Sequence, residues 1–228
     1  ITQKISFTKY PLIQIKKARL QKENKAISHV GGQEQVRRFI GSLEFELTAG
    51  QKKAIEEILQ DMKKNRPMNR LIQGDVGSGK TVVAGAALVL TTANGFQAAL
   101  MAPTEVLAQQ QYLSLARLLE PLGIKCGYLA QNSSLDEKRL VLTGLLDGSL
   151  QVLVGTHALI QENVHFKNLG LAVIDEQHKF GLFQRAVLKE KAPRPPHFLL
   201  LTATPIPRTL AHTLYGDLDI SLISDMPK

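Results

Sequence analysis

Two groups of residues in this chain have the types and spacing for phosphoryl chemistry. The first is Gly74-Asp75-Val76-Gly77-Ser78-Gly79-Lys80-Thr81, which fits the phosphate-loop pattern G-x-x-x-x-G-K-S/T at every fixed position. Glycines remove the Cβ atoms that would stop backbone N–H groups closing around phosphate oxygens. A helix starting at the loop turns its N-terminal partial positive charge on the same anions. In such a loop Lys80 reaches the β- and γ-phosphates of a nucleoside triphosphate, and Thr81 offers its hydroxyl to Mg²⁺. The second group is Asp175-Glu176-Gln177-His178, directly after the apolar run Leu171-Ala172-Val173-Ile174. A carboxylate ending a strand beside a phosphate loop is suited to the same Mg²⁺, so Asp175 joins Thr81 as a metal holder. Glu176 is suited to polarising the attacking water. The expected catalytic set is therefore Lys80, Asp175 and Glu176, with ATP and Mg²⁺ as ligands. No second His or Cys sits at zinc-ligand spacing from His178, which excludes a zinc site there.

Three more groups follow apolar runs. Thr202-Ala203-Thr204-Pro205 comes after Phe198-Leu199-Leu200-Leu201. Small hydroxyl residues at that point can bond to the acidic group and shift with the γ-phosphate, linking hydrolysis to motion. Gln177, His178, Thr202 and Thr204 are the expected coupling residues. Pro103-Thr104-Glu105 and Gly155-Thr156-His157 also follow apolar runs. Their N–H groups, hydroxyls and following helix N-termini suit nucleic-acid phosphates.

These groups need a scaffold. Residues 70–73 read as a short buried strand entering the phosphate loop, and residues 82–90 as a packed helix leaving it. Further strands are predicted at 98–101, 125–130, 152–154, 171–174, 198–201 and 220–223, with helices over 105–119 and 135–146. Short apolar runs alternating with helices specify an α/β fold, a mainly parallel sheet covered by helices on both faces. Such sheets bind ligands at the carboxyl ends of their strands, where the groups above fall. Upstream, Thr48 is a predicted N-cap for a helix with the inner stripe Ile55, Ile58, Leu59 and Met62, which Lys63, Lys64 and Arg66 suit at its end and Pro67 stops. Val36, Phe39, Ile40 and Leu43 fall at i, i+3, i+4 and i+7, the stripe of a short amphipathic helix after Gly31-Gly32. Residues 5–25 are mixed apolar and basic, with helix predicted after Pro11.

Bulk properties narrow the class. At 228 residues the chain can hold one large α/β domain and an appendage. The net charge of +8 is uneven: residues 1–44 carry nine Lys/Arg against three Glu, while the rest is close to neutral. A basic arm suits nucleic acid or another acidic partner, and otherwise is a solvated helix face. The longest uncharged run, 81–104, has Thr91, Thr92, Asn94, Gly95 and Gln97 at its middle, so it divides into helix, turn and strand rather than spanning a membrane. The N-terminus lacks the apolar region of a signal peptide. The single cysteine, Cys126, permits no internal disulfide and reads as inert core in a reducing compartment. With no initiator methionine at Ile1 and a strand-like segment just before Lys228, the chain reads as one piece of a longer protein.

Taken in order, the phosphate loop, Pro103-Thr104-Glu105, Gly155-Thr156-His157, Asp175-Glu176-Gln177-His178 and Thr202-Ala203-Thr204-Pro205 resemble motifs I, Ia, Ib, II and III of superfamily 2 helicases. Leu47-Thr48 with Gln51 resembles the adenine-reading Q motif of that group. The longer strings 68–81, 155–161, 175–181 and 202–210 resemble the RecG family of bacterial DNA helicases, a likeness covering residues 45–228. Two positions depart from that pattern: Lys179 where Arg is usual, and Gln131-Asn132 where Thr-Gly is expected.

The resemblance implies a RecA-like P-loop domain at 45–228, the helicase ATP-binding domain, with 1–44 as a helical lead-in from an N-terminal wedge domain. It implies a motor that remodels branched DNA, namely stalled forks and Holliday junctions, in the bacterial cytoplasm at the nucleoid. By the same likeness Gln51 contacts adenine, residues Gly74 to Thr81 bind ATP, Thr81 and Asp175 hold Mg²⁺, and Glu176 activates water. Its expected partners are the wedge and a second motor domain of the same polypeptide, the latter supplying an arginine finger, and a single-stranded DNA-binding protein. Residues 1–228 alone are expected to bind ATP weakly and to hydrolyse it poorly. The motor of the transcription-repair coupling factor is an alternative, since it shares Thr-Ala-Thr-Pro-Ile-Pro-Arg, but it typically carries Glu where Gln177 stands. A non-hydrolysing ATP-dependent DNA-binding module would not require Lys80, Asp175 and Glu176 together. Gln177-His178 disfavours an RNA helicase of the Asp-Glu-Ala-Asp type, and a metabolic P-loop kinase would not need the hydroxyl-bearing strand exits.

Overall fold

The computed structural model describes residues 27–175, 182–204 and 218–225. Among these residues seven strands form one sheet: β1 (Asn69–Gly74), β2 (Gln97–Met101), β3 (Cys126–Leu129), β4 (Val152–Gly155), β5 (Leu169–Asp175), β6 (His197–Thr202) and β7 (Asp219–Ile223). Their order is β3-β4-β2-β5-β6-β1-β7, and every neighbouring pair is parallel. The helices are α1 (Gln33–Gly41), α2 (Ala49–Met62), α3 (Lys80–Ala93), α4 (Glu105–Leu119), α5 (Leu135–Asp147) and α6 (Leu182–Glu190). Each strand predicted from an apolar run is present, and the sheet is wholly rather than mainly parallel. Helix α6 was not anticipated. The helix predicted within 5–25 lies outside the described residues.

Alternation along the strands builds two cores. Ile72, Ala98, Leu100, Val152, Val154, Val173, Leu199 and Leu201 line one face, where α1 to α4 pack. Leu71, Ala99, Met101, Leu153, Ala172, Ile174, Phe198 and Leu200 line the other, with Leu145 of α5 and Leu188 of α6. Side chains at successive strand positions point to opposite faces, so continuous apolar runs are what a sheet covered on both sides requires. Helix α3 shows the same logic, with every residue from Val83 to Leu90 buried. Run 81–104 resolves into α3, a turn with Gly95 at φ 78°, and β2. No helix among the described residues is long and apolar enough to cross a membrane.

The segment ahead of the Q-like motif packs into the first of these cores. Val36 and Phe39 of α1 are buried, and a Cβ added at Gly85 of α3 would lie 2.9 Å from the Phe39 ring. Fully burying a side chain such as Phe39 contributes about 2–3 kcal/mol. Leu43 of the predicted stripe falls beyond the helix end but still packs against this core. Cys126 is half-buried at the head of β3, and burial pushes its thiol up to about 12, which keeps it a protonated, unreactive group.

At the amino end of the sheet two polar knots hold α2 and residues 27–29. His197 Nδ1 accepts the Met68 N–H at 2.9 Å, so the ring proton sits on Nε2 and is donated to Ile27 O at 2.6 Å. Beside them, Arg70 donates to Asp61 at 2.6 and 2.9 Å, to Glu57 at 2.9 Å and to Ser221 at 2.7 Å. Three side chains, two from α2 and one from β7, thus share the guanidinium that β1 supplies.

Candidate active site

The phosphate loop runs from the end of β1 to the start of α3. Gly77 and Gly79 take φ of 85° and 82°, a left-handed backbone in which L side chains are strained. A Cβ on Gly79 would also lie 2.3 Å from Gln51 Nε2, so only glycine lets that amide approach. Gln51 is fully buried. Its Oε1 accepts the Thr48 N–H at 2.9 Å, and Thr48 Oγ1 accepts the Gln51 N–H, closing a capping box at the start of α2. Its Nε2 donates to Ser78 O at 2.8 Å. The Q-like motif is therefore tied directly to the phosphate loop. The neighbouring Gly50 N–H donates to Asp225 Oδ2 at 2.9 Å, bringing a carboxylate from beyond β7 onto the N-terminus of α2.

Two features of the loop fit a phosphate ligand. Ser78 is 1% exposed and its hydroxyl meets no protein partner, in a loop whose residues Asp75, Val76 and Gly77 are exposed. An unsatisfied buried hydroxyl is costly unless a ligand or water completes it. Lys80 Nζ donates back to Gly74 O at 2.7 Å and Asp75 O at 2.8 Å, which keeps the ammonium at the mouth of the loop.

The acidic strand end lies close by. Register aligns Gln73 of β1 with Thr202 of β6, and Leu201 of β6 with Asp175 of β5. Asp175 is 7% exposed. Thr81 Oγ1 donates to Gln111 Oε1 at 3.1 Å, and Gln111 Nε2 donates to Asp175 Oδ2 at 2.9 Å. One amide on α4 thus joins the hydroxyl and the carboxylate expected to hold Mg²⁺. A hydroxyl and a carboxylate are hard oxygen donors of the kind that ion takes, with phosphate oxygens and water completing its shell. Thr202 is fully buried and its hydroxyl shares a 2.9 Å hydrogen bond with that of Thr204, so these two expected coupling residues form one unit. Glu176, Gln177 and His178 lie outside the described residues.

The expected DNA contacts gather on the adjoining half of the same edge. Ala102 N–H donates to Gly155 O at 2.9 Å, bringing Pro103-Thr104-Glu105 beside Gly155-Thr156-His157. Gly155 is forced: a Cβ there would lie 2.2 Å from Leu129 O of the neighbouring strand. Thr104 caps α4 by accepting the Leu107 N–H at 3.3 Å. Thr156 is buried, whereas His157 is exposed at the head of a single 3₁₀ turn, His157–Ile160. Glu105 uses its carboxylate locally, accepting from Gln131 N at 3.1 Å and Asn132 Nδ2 at 3.0 Å. It thereby fixes the 130–134 loop that carries the sequence departure. The Tyr128 hydroxyl donates to Glu105 O at 3.3 Å, and burial, then the Glu105 charge, raises that phenol above its ordinary value.

Sequence reasoning missed Gln111 and Asp225. A signal for Gln111 was present: it sits three residues after Ala108 and four before Leu115, both buried, so a polar residue interrupts the inner stripe of α4. Asp225 carries no such pattern, because its partner Gly50 is 175 residues away.

Residues 48–213 match the family model of the DEAD/DEAH box helicases. Among known proteins, the chain is 47% identical over 214 residues to the ATP-dependent DNA helicase RecG of Aquifex aeolicus (strain VF5), covering 93% of this chain and 27% of that protein. It is 51% identical over 195 residues to the same helicase of Streptococcus pneumoniae serotype 4, covering 86% of this chain and 29% of the relative. The chain thus spans just over a quarter of the length of these relatives. Among solved structures, it superposes on RecG bound to a three-way DNA junction with a TM-score of 0.80 and 41% identity, over 93% of this chain and 28% of the other. The DEAD-box helicase Mss116 shares the fold at a TM-score of 0.67 and 19% identity, over 83% of this chain and 43% of the other.

Proposed function

The chain belongs to the DEAD/DEAH box helicase family, as a first motor domain of the RecG type, and from that premise we propose that it binds and hydrolyses ATP to drive a motor on branched DNA. Stalled forks and Holliday junctions are the proposed substrates, in recombination and repair at the bacterial nucleoid. The observation that carries this reading is the meeting, across one amide, of the phosphate-loop hydroxyl Thr81 and the strand-end carboxylate Asp175. The RecG structure solved with a three-way junction supports the choice of branched DNA.

The residues divide the work. Backbone N–H groups of residues 74–81 wrap the phosphates, and the Ser78 hydroxyl gains the partner it lacks. Lys80 leaves its two carbonyl acceptors for the β- and γ-phosphates. Thr81 and Asp175 hold Mg²⁺, which when bound neutralises charge on the phosphate oxygens. Glu176 takes the proton of the attacking water. Gln51 reads adenine from a position where its amide already senses the loop through Ser78 O. Gln177, His178, Thr202 and Thr204 couple the nucleotide state to the DNA edge. There, Pro103, Thr104 and the Gly155-Thr156-His157 turn meet backbone phosphates, and Glu105 fixes the adjoining loop.

Residues 45–228 are taken as the ATP-binding domain and 1–44 as its lead-in. The wedge and second motor domains, and a single-stranded DNA-binding protein, are the proposed partners. The test is ATP hydrolysis by the intact gene product with no DNA, linear duplex, forked DNA or single-stranded RNA, alongside Glu176→Gln. Strong stimulation by the fork, lost in the variant, is expected. Equal stimulation by linear duplex would point instead to a general duplex translocase, and no stimulation by any DNA would overturn the motor. Robust DNA-stimulated turnover by residues 1–228 alone would refute the dependence on a second motor domain.

A further inference from the structure

We propose that Gln111 is a positioning residue whose side-chain amide sets the Thr81 hydroxyl and the Asp175 carboxylate as one seat for a divalent cation. The inference rests on the nucleotide-binding reading above and adds a residue to it.

The amide has two unlike ends, and its neighbours fix which way round it sits. Asp175 offers only acceptors when ionised, so it takes the Nε2 donor, at 2.9 Å. Oε1 is then left facing Thr81, whose hydroxyl must be the donor across 3.1 Å. A hydroxyl that has committed its hydrogen to an amide oxygen can turn only lone pairs on a cation, which is the orientation ligation requires. The same amide restrains the carboxylate through one of its oxygens, Oδ2. Among the described residues no group of three His, Cys, Asp or Glu gathers to hold a metal. Thr81 and Asp175 are the protein oxygens proposed for the ion, and the way they are turned decides whether they can ligate it.

A plain packing role explains the residue poorly. Gln111 stands on the inner stripe of α4 with buried Ala108, Leu115 and Leu119, where an apolar side chain would avoid the desolvation of an amide. It also sits on a different element from either residue it joins. Its removal therefore leaves the phosphate loop and β5 with their own backbone supports.

The test is equilibrium binding of a fluorescent ADP analogue to the intact gene product, followed by anisotropy without metal and across a Mg²⁺ titration. Gln111→Met keeps the length and removes both polar ends. Gln111→Asn keeps both ends and falls one methylene short. Both variants are expected to bind the nucleotide without metal within about twofold of the parent, and to need about tenfold more Mg²⁺ to reach the tighter state, the size of effect seen when groups behind metal ligands are lost. An unshifted Mg²⁺ midpoint in either variant overturns the proposal. So does an equal loss of affinity with and without metal, the mark of a merely structural role. Failure of the parent itself to bind the nucleotide overturns the functional reading first, before any variant is compared.

Discussion

Both ends of the sheet bury a polar atom that has no partner, and the two atoms have opposite meanings. At the amino end, His197 places its Nε2 proton toward Ile27 O, with His29 Nδ1 at 3.1 Å, which leaves the His29 proton on the unpartnered Nε2. That ring lies against Phe96 at 5.2 Å and beside Gly170, within the core. At the carboxyl end, the Ser78 hydroxyl is equally orphaned, but its loop is exposed at Asp75, Val76 and Gly77. The sealed atom contributes only its desolvation, and nothing can reach it. The other belongs to a loop whose exposed residues and Lys80 ammonium suit an anion. An orphaned polar atom points to a ligand only where the surrounding backbone is accessible.

The largest expected effect tests the open end. Lys80→Ala is expected to lower ATP turnover by the intact, fork-stimulated protein about a thousandfold, roughly 4 kcal/mol of transition-state stabilisation. Phosphate release under saturating nucleotide is the measurement. A loss of less than tenfold would mean that the open end holds no more chemistry than the sealed one.

The next effect belongs to the amino end. Asp61 is 7% exposed on its side chain and bonded to both Arg70 and Lys64. Asp61→Ala leaves the 9%-exposed Arg70 side chain short of its closest acceptor and is expected to destabilise the fold by about 3 kcal/mol in urea melts. Burial raises the Asp61 carboxyl pKa, but hydrogen bonds from Lys64 and Arg70 outweigh it and hold the group below its ordinary range. Its contribution is therefore present above the unfolded value near 3.8 and is lost as pH falls through the lower folded value. A neutral result would mean that Glu57 and Ser221 satisfy the guanidinium by themselves.

The histidines give a smaller effect with the opposite reference. Burial, then the neighbouring His197, takes His29 from 6.5 down to about 3, and burial takes His197 down to about 4. Below pH 6.5 the unfolded chain takes up protons that the folded chain refuses, so stability falls until the folded values are reached. Each unit of pH in that window is expected to remove roughly 1.4 kcal/mol per ring. His29→Phe keeps a ring beside Phe96 and is expected to halve the slope, measured as urea midpoints at pH about 6.5 and 5.5. An unchanged slope would place the proton uptake elsewhere.

The same contrast governs what could be read from the residues in order. The strands were legible because a sheet buried on both faces needs continuous apolar runs, and 98–101, 171–174 and 198–201 are such runs. The phosphate loop and Asp175 were legible because their spacing along the chain is local and their chemistry is restrictive. The links between distant segments were not. Thr81 meets Gln111 thirty residues on, and Gln111 meets Asp175 sixty-four further, through a crossover order that no local window encodes. The histidine knot spans 168 residues for the same reason. Helix α6 escaped because its nine residues, Leu182–Glu190, are too short a run for the apolar period to stand out.

The smallest effect tests how far the open end extends along the sheet. Glu105 was expected among the phosphate contacts, yet its carboxylate would repel a phosphate, and it instead accepts from Gln131 N and Asn132 Nδ2. Lys138 Nζ adds a bond to Gln131 O at 2.7 Å, so the loop before α5 is held from two sides. The bonds to Glu105 are solvent-exposed, and their loss is worth about 1 kcal/mol. Glu105→Ala is therefore expected to weaken binding of forked DNA by roughly fivefold, through disorder of residues 130–134 rather than through a lost contact. The two causes separate by charge. Removing an acid that faces phosphate directly would tighten binding and steepen its salt dependence, whereas releasing a loop weakens binding with the salt slope unchanged. Tighter binding by Glu105→Ala would move the boundary of the DNA edge to include Glu105 itself, and the loop clamp would be incidental.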